Sequence, residues 1–245
     1  MKHNSEPTRR ESRHTSTRDE IMEVARKQIA EQGAAALSLR EIARQMRMTA
    51  PALYRYFKDR DDLVTALIVT AFRSFADTLK AARDSQSADD HANQLFAIAL
   101  AYRSWARAHP QDYMLIFGTP IPGYKAPAEI TQPEAKCSMD VLIDALEATD
   151  TAGELDPAST YAKPSPALLA QLNHWRKEFG YSASTIVLYL AVVGWSRLHG
   201  LVSLEIENQF EPFLGDIDEL YRNQALELMK QFGVDTTAVT RKKKS

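Results

Sequence analysis

Between Ser38 and Lys58 the chain carries two apolar stripes, each too short to hold as a helix by itself, separated by about three residues. Ser38 and Glu41 have the Ser-x-x-Glu spacing of a capping box. That spacing predicts a helix opening at Leu39, with Leu39, Ile42, Ala43 and Met46 along its inner side. After Arg47 and Met48, Thr49 offers a second N-cap and Pro51 falls in the first turn, which predicts a helix over residues 50–57. Helices so short and so tightly joined bury their stripes only against other helices. The window therefore demands helical neighbours.

Those neighbours are present in the pattern. Ile21, Val24, Ala25 and Ile29 recur at helical spacing and stop at Gly33, while Leu63, Leu67, Ala71, Phe75 and Leu79 line a long helix from Asp59 or Arg60 to about Arg83. Further helices are predicted over 88–109, 112–117, 134–148, 166–179, 183–207 and 217–232, with loops at 118–133 and 149–164. No stretch alternates as a strand does, and only 9 Gly and 11 Pro punctuate 245 residues. The fold class expected is all-α: a disordered basic arm over 1–16, a helix-turn-helix domain over 17–62, a helical domain over 63–233, and a disordered basic tail over 234–245.

Charge is distributed unevenly along this plan. Residues 1–58 hold 12 Lys and Arg against 7 Asp and Glu, and residues 59–245 hold 18 against 25. A net charge of −2 excludes a protein that coats nucleic acid at large, yet leaves a basic end suited to it. On a helical wheel with Leu53 and Phe57 inward, Pro51, Arg55 and Lys58 face outward, Ala52 lies near the edge, and Tyr54 and Tyr56 flank them. Small residues at Thr49, Ala50, Pro51 and Ala52 permit close approach to base edges in a major groove, and Arg55 can make a bidentate contact to guanine. Tyr54, Tyr56 and Lys58 are placed for phosphates, as are Arg40, Arg44 and Arg47 along the preceding helix. Taken alone, three arginines on a helix face are an ordinary solvated surface. Their coincidence with caps, turn length and small residues carries the reading.

The segments Ser38-Leu-Arg-Glu-Ile-Ala43, Met48-Thr-Ala-Pro-Ala-Leu-Tyr-Arg-Tyr-Phe57 and Lys58-Asp-Arg-Asp-Asp-Leu63 resemble the DNA-binding domain of TetR-type transcriptional regulators. The resemblance covers about residues 17–65. It implies that Tyr54, Tyr56 and Lys58 contact phosphate or base, that Thr49, Ala52 and Arg55 set specificity, and that Thr17 joins the DNA-binding set. His109-Pro110, Tyr113, Phe117-Gly118, Pro120, Pro122-Gly123-Tyr124 and Trp195-x-x-x-His199-Gly200 resemble one subgroup, in which the C-terminal domain binds an effector and forms the dimer.

The aromatic set Tyr102, Trp105, Tyr113, Phe117, Tyr124 and Trp175, with Trp195 and His199 sharing a helix face, reads first as core, and beside the Pro-rich loop as the lining of a mostly apolar effector pocket. No phosphate-binding glycine loop or nucleophile elbow occurs, so no enzyme, cofactor or metal is expected. The single cysteine, Cys137, makes no internal disulfide and favours a reducing compartment. The longest apolar run, residues 186–195, falls short of a bilayer span. The expectation is a cytoplasmic homodimeric repressor, with no membrane partner, that an apolar small molecule releases from a palindromic double-stranded DNA operator. The alternative is the same fold gated by a protein partner or ungated.

Overall fold

The computed structural model describes residues 8–157, 164–237 and 239. Among the described residues there are ten α-helices and no strand: α1 (Arg9–Gln32), α2 (Leu39–Gln45), α3 (Ala50–Leu53), α4 (Arg60–Asp84), α5 (His91–Ala108), α6 (Pro110–Phe117), α7 (Ala128–Thr151), α8 (Pro166–Phe179), α9 (Thr185–Ile206) and α10 (Asp218–Gln231). They form two compact units, one of residues 1–71 with 110–133, the other of 72–109 with 134–245. α4 and α7 each contribute one part to either unit.

In the first unit Ile21, Ala25, Ile42, Leu53, Phe57, Leu63 and Leu67 are buried together with Leu37 and Leu39. Only half of the expected capping box forms. Ser38 Oγ accepts from the Glu41 N–H at 3.4 Å, but the Ser38 N–H donates to Gln28 Oε1 of α1 at 3.0 Å, and Glu41 turns to Arg44 and Gln45. Gln28, 2% exposed, is thus a buried amide that ties α1 to the cap of α2. α2 ends as the Met48 N–H reaches back to the Ala43 carbonyl at 2.8 Å and Arg47 adopts φ 53°, the left-handed conformation of a helix C-terminus usually filled by glycine.

Several expectations are corrected. The helix expected over residues 50–57 stops at Leu53, and the Tyr56 N–H closes a tighter turn on the Leu53 carbonyl at 2.9 Å. The arm expected to be disordered over 1–16 is helical from Arg9, since α1 continues unbroken toward the N-terminus; residues 1–7 lie outside the described ones. The loop expected to run to residue 133 gives way to helix at Ala128, which passes through Pro133. In the tail, Val234, Thr236 and Val239 are buried, while Arg241 to Lys244 lie outside the described residues.

The second unit packs α5, α9 and α10 against one another, with α8 on α9. Ser184 caps α9 through the Val187 N–H at 3.3 Å, and Ser165 caps α8 through Leu168 at 3.3 Å. Its buried anchor is Arg103, which donates to Glu205 at 2.6 and 2.7 Å and to Asp218 at 2.7 Å. α9 has the length and apolarity of a bilayer span, with mean hydropathy 1.5. Its Arg197, however, donates to Gln231 and Gln224 at 2.7 Å each.

Candidate nucleic-acid interface

The inward side of the window is as the wheel has it: Leu53 and Phe57 are each 1% exposed, which leaves the remaining side chains of residues 49–58 turned away from the core. Thr49, Pro51, Tyr54, Arg55 and Lys58 are exposed, and Ala50, Ala52 and Tyr56 half-buried. Because α3 ends at Leu53, Arg55 and Lys58 stand on the following turn and not on a helix face. Asp59 Oδ1 then accepts from the Asp62 N–H at 2.8 Å and Asp62 Oδ2 from the Lys58 N–H at 3.0 Å, fixing this turn at the start of α4.

Along α2, Arg40 is exposed and open, whereas Arg44 is engaged. Its guanidinium grips both oxygens of Glu41 at 2.8 and 2.6 Å. Hydrogen bonds from Arg44 and then Gln45 hold the Glu41 carboxyl down at about 2. A phosphate must therefore exchange with Glu41 to reach Arg44, and Arg40 and Arg47 are the less encumbered cations.

Two residues of this surface escape the motif. His14 stacks on Tyr56 with ring centroids 4.5 Å apart, and the Arg18 guanidinium lies 4.8 Å over the Phe57 ring. Thr17 sits half-buried between them on α1. The signal was available, because His14 and Arg18 continue backward the same helical stripe as Ile21 and Ala25.

The aromatic set divides between the units. In the first, Tyr113 is 2% exposed with Phe117 5.2 Å away, and Tyr124 Oη pairs with Thr65 Oγ1 at 2.9 Å. In the second, Phe75 lies against both Tyr102 and Trp105, and Tyr102 Oη shares a 2.6 Å hydrogen bond with His199 Nδ1. Trp195 stacks on the His199 imidazole at 4.9 Å, and Ser203 approaches the other ring nitrogen at 3.4 Å. Burial pushes the His199 pKa down, which keeps the ring neutral at pH 7. Trp105, 2% exposed, donates its indole N–H to Ser74 at 3.1 Å and is satisfied inside the unit. Trp175 packs edge-on against Tyr181.

This geometry, a buried Leu53 and Phe57 beneath an exposed Tyr54-Arg55 turn, coincides with a known family. Residues 21–67 match the bacterial regulatory proteins of the tetR family, and residues 95–228 match the tetracyclin repressor-like C-terminal domain. The chain belongs to the TetR family. The HTH-type transcriptional regulator Rv1816 of Mycobacterium tuberculosis is 37% identical over 190 residues, 78% of this chain and 80% of its relative, as is Mb1846 of Mycobacterium bovis. The crystal structure of SCO4313 matches with a TM-score of 0.76 at 42% identity, covering 91% of this chain and all of that one. A TetR-family regulator from Rhodococcus RHA1 shares the fold, with TM-score 0.60 and 17% identity over 89% of this chain and 97% of its own. As a TetR-family member the protein is a DNA-binding transcriptional regulator. The buried residues of its N-terminal window are those that position a recognition element.

Proposed function

We propose that this regulator is a homodimeric repressor released from a palindromic operator by a small, mostly apolar effector bound in its second unit. Thr49, Ala50, Pro51, Ala52 and Arg55 read base edges; Thr17, Arg40, Arg44, Tyr54, Tyr56 and Lys58 hold phosphates. The observation that carries the effector reading is the neutral, half-buried imidazole of His199, set between the Trp195 ring, the Tyr102 hydroxyl and Ser203. A ligand held between these apolar walls takes over the ring nitrogen that Ser203 approaches at 3.4 Å and is oriented by that one hydrogen bond. Trp105, nearly sealed, supports that site from the core of the second unit instead of lining it.

The open apolar surface for that dimer lies on α8 and α9. The apolar face of α10, with Tyr221, Ala225, Leu228, Met229 and Phe232, is consumed within the protomer. Phe179 at 37%, Val192 at 38% and Leu204 at 44% exposure remain open on α8 and α9. An isologous pairing there covers them.

The test is a thermal-shift and operator-release screen with mid-sized apolar compounds on the wild type, Trp195→Ala and His199→Ala. Compounds that release operator from wild type should lose potency about tenfold or more on either variant. Equal potency on all three proteins removes this cluster from the effector site.

A further inference from the structure

The amino-terminal part of α1 contradicts its own local electrostatics. The positive end of a helix dipole favours carboxylates, each worth typically 0.3–1 kcal/mol, and disfavours cations. The first turn of α1 nevertheless opens on Arg9 and Arg10, with Glu11 as its one carboxylate, and Arg13 and Arg18 follow along the helix. Arg9 and Arg13 are exposed and meet no carboxylate among the described residues. With Thr17 they recur every four residues, which puts all three along one side of the helix. A charge pattern that opposes the helix it sits on is expected where a partner supplies the compensating charge.

The position of that partner follows from His14, whose ring stacks on Tyr56 at 4.5 Å and so joins this stretch to the edge of the base-reading turn. We propose that Arg9–Ser16 is a second DNA-contacting element, in which Arg9 and Arg13 engage backbone phosphates beside the groove read by residues 49–55. Within it, His14 is a positioning residue that holds Tyr56 in place. The proposal rests on the DNA-binding reading of the helix-turn-helix and extends it. At about 1.5 Å per residue Arg9 stands roughly 12 Å before Thr17 along the helix, some three to four base pairs of additional backbone.

The probe is a duplex recovered from a random-sequence library by repeated selection on the full-length chain, and the reading is the slope of log affinity against log salt. Each phosphate no longer neutralised lowers that slope by about 0.9, so Arg9→Gln with Arg13→Gln, acting in both halves of a dimer, should lower it by two to four units. Arg9→Lys with Arg13→Lys should preserve the slope. Removing these charges relieves the helix end, so α1 should melt no earlier in the Gln pair. A weakened affinity then cannot be blamed on an unfolded helix. His14→Ala should weaken binding three- to tenfold with an unaltered slope, and His14→Phe, which keeps a stacking ring, should restore it. If the Gln pair leaves the slope within half a unit while Lys58→Ala lowers it, the extension makes no contact and the helix-turn-helix reading survives. If neither change moves the slope, both readings fall.

Discussion

The helix-turn-helix window and the core of the second unit settle their chemistry over very different lengths of chain. Around the helix-turn-helix the contacts that set the turns are close in sequence: Ser38 to Glu41, Met48 back to Ala43, Tyr56 back to Leu53, Lys58 to Asp62. In the second unit Tyr102 meets His199, Arg103 meets Glu205 and Asp218, and the Tyr221 hydroxyl donates to the Ala99 carbonyl at 2.8 Å, all pairings about a hundred residues apart. A local device tolerates change elsewhere in the molecule. A distant pairing fails as a whole where its central partner, like Arg103, is buried on the assumption that the others arrive.

The largest expected effect tests that contrast at two arginines. Arg103 is 5% exposed and meets Glu205, whose side chain is 17% exposed. Arg103→Ala leaves that carboxylate only Arg107, at 3.7 Å, and should destabilise the protein by up to about 3 kcal/mol in urea unfolding. Arg44, 77% exposed and paired three residues away with Glu41, should give no measurable loss as Arg44→Ala, since solvent screens such a pair. A double-mutant cycle of Arg103→Ala with Glu205→Ala sharpens the point, because the second change should recover part of the first. A loss below about 1 kcal/mol for Arg103→Ala would show the network to be dispensable.

Two glycines narrow the comparison further, since they look alike in the sequence. Gly33 and Gly233 each follow a helix, at φ 80° and 83°. A Cβ on Gly33 meets nothing within 4 Å, so Gly33→Ala should cost only the backbone penalty of its φ 80°, ψ 158° conformation, a region kept almost wholly to glycine, about 1–3 kcal/mol. A Cβ on Gly233 would stand 2.3 Å from the Asp156 carbonyl oxygen and 2.5 Å from its nitrogen, where the Asp156 N–H also donates to the Phe232 carbonyl. Gly233→Ala must displace a backbone segment and should cost clearly more. Equal shifts in melting temperature for the two variants would contradict the packing of residue 156 there.

These glycines also mark what the sequence makes legible. A helix stop, a serine cap or a Leu53/Phe57 stripe is a short-range decision of the backbone, and α2, α8 and the turn after α2 stand where their residues put them. The same reading cannot see that Gln28 takes the Ser38 N–H and leaves Glu41 free for Arg44, because the two lie ten positions apart across a change of helix direction. Nor does it divide the aromatic set: Tyr113 and Tyr102 look equally suited to a pocket, and only the tertiary fold places them in different units. The start of α7 was hidden for another reason. Pro133 reads as a helix breaker, yet it lies in the second turn of a helix that other contacts hold in place.

The smallest effect lies at Arg47, where a local rule is broken inside the local region itself. Its φ of 53° costs a residue bearing a Cβ about 1–2 kcal/mol, and the hydrogen bond from the Met48 N–H to the Ala43 carbonyl requires that conformation. Glycine adopts it without strain but loses more backbone freedom on folding, so Arg47→Gly should stabilise the protein by no more than about 1 kcal/mol. The residue is exposed and cationic at the end of the helix that precedes the reading turn. Strain retained at such a place is expected where the side chain serves binding. Arg47→Gly should therefore melt later and yet bind operator with a salt slope lower by about one for every phosphate that Arg47 holds. Arg47→Asn, which tolerates the same backbone without the charge, should bind like the glycine variant and melt close to wild type. A glycine variant that melts earlier than wild type removes the strain argument, and an unchanged slope in both variants leaves Arg47 as a turn residue with no part in holding DNA.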